Sequence, residues 1–199
     1  MRNLTLIVVA LLTLFTSCKH KEDIVVAELT EQEKADLIYL REEEKLARDV
    51  YLYAYDKYAE DIFVNISKSE QKHMDKVLDL LNTYSLPDPA SADRGVFTNT
   101  MLQQLYNDLT AEVDKSLIDA LKVGATIEDL DIYDIEKNEG RTSISDLENL
   151  YEKLKCGSKN HIQSFNTQIV ANSATYIPQY ITQEYLNSIL AGGSQKCGK

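Results

Sequence analysis

Between residues 30 and 190 the apolar positions recur at intervals of three and four, the signature of helices that each bury one face. Thr30 and Glu33 make a capping box, and Leu37, Leu40, Ala47, Tyr51 and Ala54 continue the stripe, predicting a first helix near 30–59. A break is expected around Asp61–Asn65. A second helix near 66–84 carries Val77, Leu78, Leu80 and Leu81 and stops before SLPDPASADRG, where Pro87, Pro89 and Gly95 mark a loop. A short helix near 98–109 follows. Ser116 then caps a third long helix reaching about Glu136, with Leu117, Ala120, Leu121, Ala125, Ile132 and Ile135 inward. After a turn in NEGRTSIS, a fourth runs from about Ser145 to Asn172 with Leu147, Leu150, Tyr151, Leu154, Ile162, Phe165 and Ile169 inward. YIPQYITQEYLNSIL predicts an extended piece around Pro178 and a short helix capped by Thr182, and residues 191–199 read as a flexible tail.

Short links join the first two long helices and the last two, whereas about 30 residues separate the second from the third. That spacing predicts an all-α domain over 30–190: a four-helix bundle with one long crossover, the connectivity of ferritin-like folds, plus short accessory helices. Internal repeats and low-complexity segments are absent.

Ahead of the domain stands MRNLTLIVVALLTLFTSCKHKED. One arginine, an apolar run from Leu4 to Phe15 and small residues before Cys18 make residues 1–17 a secretory signal peptide. The run is shorter than the roughly 20 residues needed to span a bilayer. Phe15-Thr16-Ser17-Cys18 resembles a bacterial lipobox, which implies lipidation of Cys18 and membrane attachment through a tether at 18–29. A plain signal peptide with an incidental Cys18 is the alternative. Lys19 after the cysteine resembles outer-membrane lipoproteins, and the acids beyond it resemble surface-export tags, so the expected location is the cell envelope. A formal net charge of −11 argues against nucleic acid as a partner. Cys156 and Cys197 remain, either as a disulfide pinning the C-terminus or as two free thiols.

Several ionisable residues share the apolar stripes. Glu44 lies between Leu40 and Ala47 on the first helix; Glu70 and His73 align with Val77 on the second; Glu128 and Asp131 align with Ala125 and Ile135 on the third. On the fourth, Ser158 and His161 align with Leu154 and Phe165. Glu42 and Glu43 need not face inward. Burying so many charges costs several kcal/mol per ion unless they pair or a cation holds them. Carboxylates with imidazole suit iron or manganese, with zinc as a further candidate. Carboxylate two-metal bundles use one Glu from each of two helices and a Glu-x-x-His from each of the other two. Glu44, Glu128 and Glu70-x-x-His73 fit that scheme, while Ser158 stands where the second Glu-x-x-His needs its glutamate. The chain has three histidines; His20 falls in the tether and the other two are at these positions.

The run EKLARDVY is similar to the first-helix motif of rubrerythrin-type ferritin-like proteins. REEEKLARDVY, NISKSEQKHM, LKVGATIEDLDIYDIE, GSKNHIQSF and YIPQYITQEYL together resemble an uncharacterised ferritin-like family, the domain of unknown function 2202, over roughly residues 35–190. The resemblance implies Glu44, Glu70, His73, Glu128 and His161 as ligands of two metal ions, and reaction of ferrous iron with dioxygen or peroxide. Asp131 is the candidate to compensate for Ser158. A compensated two-metal site, a one-metal site and a degenerate site all fit the residues. Tyr51, two turns beyond Glu44, is either a hydrogen-bond donor beside the site or a packed core tyrosine. Two functions follow: an exported, membrane-anchored di-iron oxidoreductase, or a non-enzymatic module binding metal or an unidentified protein partner.

Overall fold

The computed structural model describes residues 27–197, so the expected signal peptide, the expected lipidation site Cys18 and most of the expected tether lie outside the described residues. The described chain is all-helical, without a strand: α1 (Glu31–Tyr58), α2 (Asp61–Thr83), α3 (Thr100–Val113), α4 (Leu117–Glu139), α5 (Ser145–Ala171) and α6 (Gln183–Gly192). Within it, no helix is long and apolar enough to cross a membrane.

Local chemistry sets most of the boundaries. Thr30 and Glu33 satisfy each other's backbone N–H groups at the start of α1. Asn99, Ser116 and Thr182 accept backbone N–H groups at the starts of α3, α4 and α6. The break expected at Asp61–Asn65 is helical instead. Ala59 adopts the left-handed conformation (φ 53°) and reverses the chain within two residues, which lets α2 begin at Asp61 and bury Phe63 and Ile66.

α1 packs along α2 and α4 along α5, with α1 also against α4 and α2 against α5; α3 lies across α1 and α4. Arg48 meets Gln71, Glu44 meets His73, and Leu37 and Leu40 cluster with Val77 and Leu81, so α1 and α2 run antiparallel. The apolar core divides in two. One cluster gathers Ala47, Tyr51, Phe63, Ile66, Ile132, Ile162 and Phe165; the other gathers Leu37, Leu40, Val77, Leu81, Ile135, Leu147, Tyr151 and Leu154. Along α1, α2 and α5 the residues between the two clusters are the inward-facing ionisable ones.

Buried polar anchors hold the connections on this frame. Arg41 pairs with Asp88, Lys45 donates to the Asp93 carbonyl, and Asp49 and Glu42 accept from the backbone of Gly95, Thr98 and Asn99. The crossover is thereby fastened along one side of α1. Asp129 does the same for the C-terminal segment, accepting from the Tyr176 hydroxyl and from the backbone N–H groups of Gln179, Tyr180 and Ile181. The tail expected to be flexible is tied to α5: Cys156 and Cys197 are bridged, and Asn160 exchanges hydrogen bonds with Gln195.

Candidate metal centre

All six residues singled out as ligands are buried and converge at the layer between the two apolar clusters. Ring and carboxylate atoms of five of them form two triads, Glu44–Glu70–His73 and Glu70–Glu128–His161, in each of which the facing atoms lie within 4.8 Å of one another. Glu70 belongs to both. Its Oε2 is 2.8 Å from His73 Nδ1 and its Oε1 is 2.8 Å from His161 Nδ1, one oxygen for each ring. Each ring nitrogen also faces a second glutamate, His73 at 3.2 Å from Glu44 Oε2 and His161 at 3.4 Å from Glu128 Oε2.

Chain and packing explain the convergence. Glu70 and His73 are one helical turn apart on α2, so both side chains point at the same gap. Gly157 on α5 makes room there: a Cβ at that position would sit 2.6 Å from His73 Nε2 and Cε1. The rings of His73 and His161 stack with centroids 5.7 Å apart. Ser69 Oγ lies 3.1 Å from His161 Nε2, which aims Nδ1 at Glu70, the support that ligating histidines usually have. The Tyr51 hydroxyl donates to Glu128 Oε1 at 2.6 Å and is within 3.3 Å of the Gly124 carbonyl. Tyr51 therefore touches the centre through Glu128.

Asp131 is buried beside these groups but belongs to neither triad. Ser158 is buried too, and its hydroxyl donates to the Leu154 carbonyl one turn back, leaving no carboxylate at that place. Glu42 and Glu43, not required inward by the stripe, are both buried. Glu42 serves the start of α3, whereas Glu43 faces Asp134 and Asp131.

The polar bookkeeping fits a cation. Glu44 Oε1, both oxygens of Glu70, Asp131 and Glu43, Glu128 Oε2 and His161 Nδ1 are buried without hydrogen-bond partners. Native interiors rarely leave such groups unmatched. Glu70 and the two rings approach to 2.8 Å without hydrogen-bond geometry, as donors aimed at a shared third point do. Metal–ligand bonds of about 2.0–2.2 Å at roughly right angles place neighbouring ligand atoms about 3 Å apart.

Without metal, protons carry the compensating charge. Burial alone would lower the His73 ring, but Glu70 and Glu44 raise it to about 10. His161 is raised well above the usual range against burial by Glu70 and Glu128. Burial pushes the Glu70 carboxyl up, yet the two rings together hold it below the normal carboxylate range. Burial lifts Glu44 to about 7 against the pull of His73, and burial with the neighbouring acids lifts Asp131 well above its ordinary value. Ions entering such a site displace protons.

The stripes did not reveal Ser69, Gly157 or Glu43. Ser69 and Gly157 sit four residues before His73 and His161 respectively, a spacing that signals proximity but carries no chemistry of its own.

Residues 33–193 match the family described as an uncharacterized protein domain, DUF2202. Uncharacterized protein MJ0754 of Methanocaldococcus jannaschii is 48% identical over 169 residues, spanning 84% of this chain and 91% of that protein. The crystal structure of hypothetical protein MJ0754 from Methanococcus jannaschii aligns with a TM-score of 0.84 at 47% identity, covering 85% of this chain and 97% of that chain. On this extent of agreement in sequence and in fold, the chain belongs to the DUF2202 family.

Proposed function

We propose that this protein is a ferritin-like four-helix bundle that binds two metal ions, iron before manganese or zinc, and turns over peroxide or dioxygen. We also propose that it acts in the cell envelope, exported by residues 1–17 and attached through lipid on Cys18. The observation that carries the metal reading is Glu70, whose two oxygens each face a different histidine at 2.8 Å, so that it would serve both metal positions. Glu44 with His73 would complete one position and Glu128 with His161 the other.

Bound ferrous iron would supply the electrons for reducing peroxide or dioxygen, and an external electron donor would return it to the ferrous state; the chain supplies the setting. Glu44, Glu70 and Glu128 offset the cationic charge in an interior where unpaired carboxylates are costly. Ser69 fixes the His161 ring, and the Tyr51 hydroxyl fixes Glu128 while providing a proton at the buried edge of the site. The apolar clusters on either side limit water. His161, 9% exposed, is the least covered of the six residues and marks where a small oxidant meets the centre.

Ser158 favours a second reading, a binding module without turnover, because its hydroxyl is spent on Leu154 and adds no ligand to the His161 position. Anaerobic loading of the chain lacking its first 18 residues with Fe(II), followed by peroxide, separates the two. Two irons per chain with metal-dependent peroxide consumption supports the oxidoreductase. Two irons with no consumption supports the module, and no binding, unchanged by His73→Ala and His161→Ala, removes both. Loss of membrane association and of the lipid mass increment in Cys18→Ala tests the anchor.

A further inference from the structure

Six ligand candidates buried within helices leave open how an ion reaches them. Glu43 and Asp131 are each 2% exposed, and both oxygens of each lack a partner. They adjoin one another, with Asp131 facing Glu44, Glu128 and Glu70 on its inner side and Glu43 facing Asp134 on its outer side. Asp134 is half-buried and lines a surface cleft of about 240 Å³ between α1 and α4, together with Asp36, Tyr39, Lys137, Asn138 and Arg141. Carboxylates therefore follow one another from the cleft toward the centre: Asp134, then Glu43 and Asp131.

The charges at the mouth leave the line acidic. Arg141 is paired with Asp36 at 2.9 Å and, with Lys137, also offsets Asp134, while Lys137 is the cation that reaches Glu43 behind it. The opposite cleft, between α2 and α5, differs. Lys76 and Lys153 line it, and its acids, Asp79 and Asp146, stand further than these lysines from His73 and His161 along their helices. Both clefts are lined by two acids and two bases, and what sets the first apart is the pair of unpartnered buried carboxylates, Glu43 and Asp131, behind Asp134.

We propose that Asp134, Glu43 and Asp131 form a cation uptake path that hands divalent ions from the α1–α4 cleft to the buried centre. The inference rests on the metal-binding reading above and adds the route. Such a path binds its ion weakly at each step, since every step offers one carboxylate where the centre offers three or more donors. It governs the rate of loading and leaves the final occupancy to the triads.

Stopped-flow uptake of Co(II) by the metal-free full chain tests this, with the cobalt ligand-field bands as rate readout and bound metal per chain as endpoint. Asp134→Asn and Glu43→Gln are expected to slow loading about tenfold at unchanged stoichiometry, and Lys137→Gln to quicken it two- to threefold, all less so at high salt. Lys153→Gln, on the other cleft, should leave the rate alone. Loading of Asp134→Asn and Glu43→Gln at the parental rate overturns the path while sparing the centre. Loss of stoichiometry in both makes them ligands and also overturns it. A parental chain that takes up no cobalt overturns path and metal reading together.

Discussion

Replacing Gly157 by alanine tests whether the histidine pair needs the space it is given. The new methyl carbon would lie 2.6 Å from His73 Nε2 and Cε1 and 3.9 Å from His161 Cε1. Ordinary contact between such atoms is about 3.5–4.0 Å, so the His73 ring must retreat by about 1 Å. Ligand positions tolerate about 0.2 Å, and loss of the packing that orients a ligand costs about 10–100-fold in metal affinity. Two effects on the fold oppose each other. Alanine gains about 1 kcal/mol over glycine inside a helix, while overpacking costs about 1–3 kcal/mol. The balance is a loss of about 0–2 kcal/mol, or about 0–8 °C in Tm for a domain of this size. Titration calorimetry with Co(II) and thermal unfolding in chelator read the two effects separately. Ser158→Ala is the control, since its hydroxyl serves only Leu154 in the same helix and should leave affinity unchanged. A Gly157→Ala chain that gains stability and keeps parental affinity would refute the placement of the ring.

Tyr51→Phe leaves Glu128 Oε1 without its donor in a dry interior, at a cost of about 1–3 kcal/mol; urea unfolding of the metal-free chain measures it, and a neutral result contradicts the bond. For pH, His73 is raised from 6.5 to about 10 and Glu44 from 4.5 to about 7 in the folded chain, so the metal-free fold binds more protons than the unfolded chain. Its stability should fall as pH rises, from about 4.5 to 7 through Glu44 and from about 6.5 to 10 through His73, whereas a Tm in chelator that climbs over this span would be incompatible with the two shifts. Asp129→Ala strips the acceptor from one hydroxyl and three backbone N–H groups, so limited proteolysis should cut within 172–182 well before the parental chain is cut there; equal resistance would show that the segment is held by other contacts.

Much of the frame was legible because local signals and burial agree. Thr30, Asn99, Ser116 and Thr182 each combine a cap-forming side chain with a following apolar repeat, and α1, α3, α4 and α6 begin there. Glu44, Glu70, His73, Glu128, Asp131 and His161 could be placed inward because each replaces an apolar residue at helical spacing within a continuous stripe. What escaped depends on neighbours distant in sequence. Nothing in DIFVN marks it as helix, because Ala59 is not a residue type that advertises a left-handed turn. Asp129 looks like a solvated acid until the segment at 176–181 returns to it.

The run Glu42-Glu43-Glu44 shows why a single apolar stripe was too simple a guide on α1. Successive residues on a helix point about 100° apart, so three adjacent glutamates cannot share one face. A helix packed on one side would leave two of them in water. α1 instead touches α2 and α4, carries α3, and is crossed by the connection that Arg41, Lys45 and Asp49 fasten to it, so nearly its whole circumference is covered between residues 40 and 51. Each glutamate then meets a different neighbour and takes a different task. Glu42 receives the N–H groups of Thr98 and Asn99 before α3, Glu43 faces Asp134 and Asp131 on α4, and Glu44 meets His73 on α2. On the proposals made above, three identical carboxylates separate into a structural acceptor, a step on the cation path and a ligand. Glutamine at each position should therefore affect a different observable: stability for Glu42, loading rate for Glu43 and metal occupancy for Glu44.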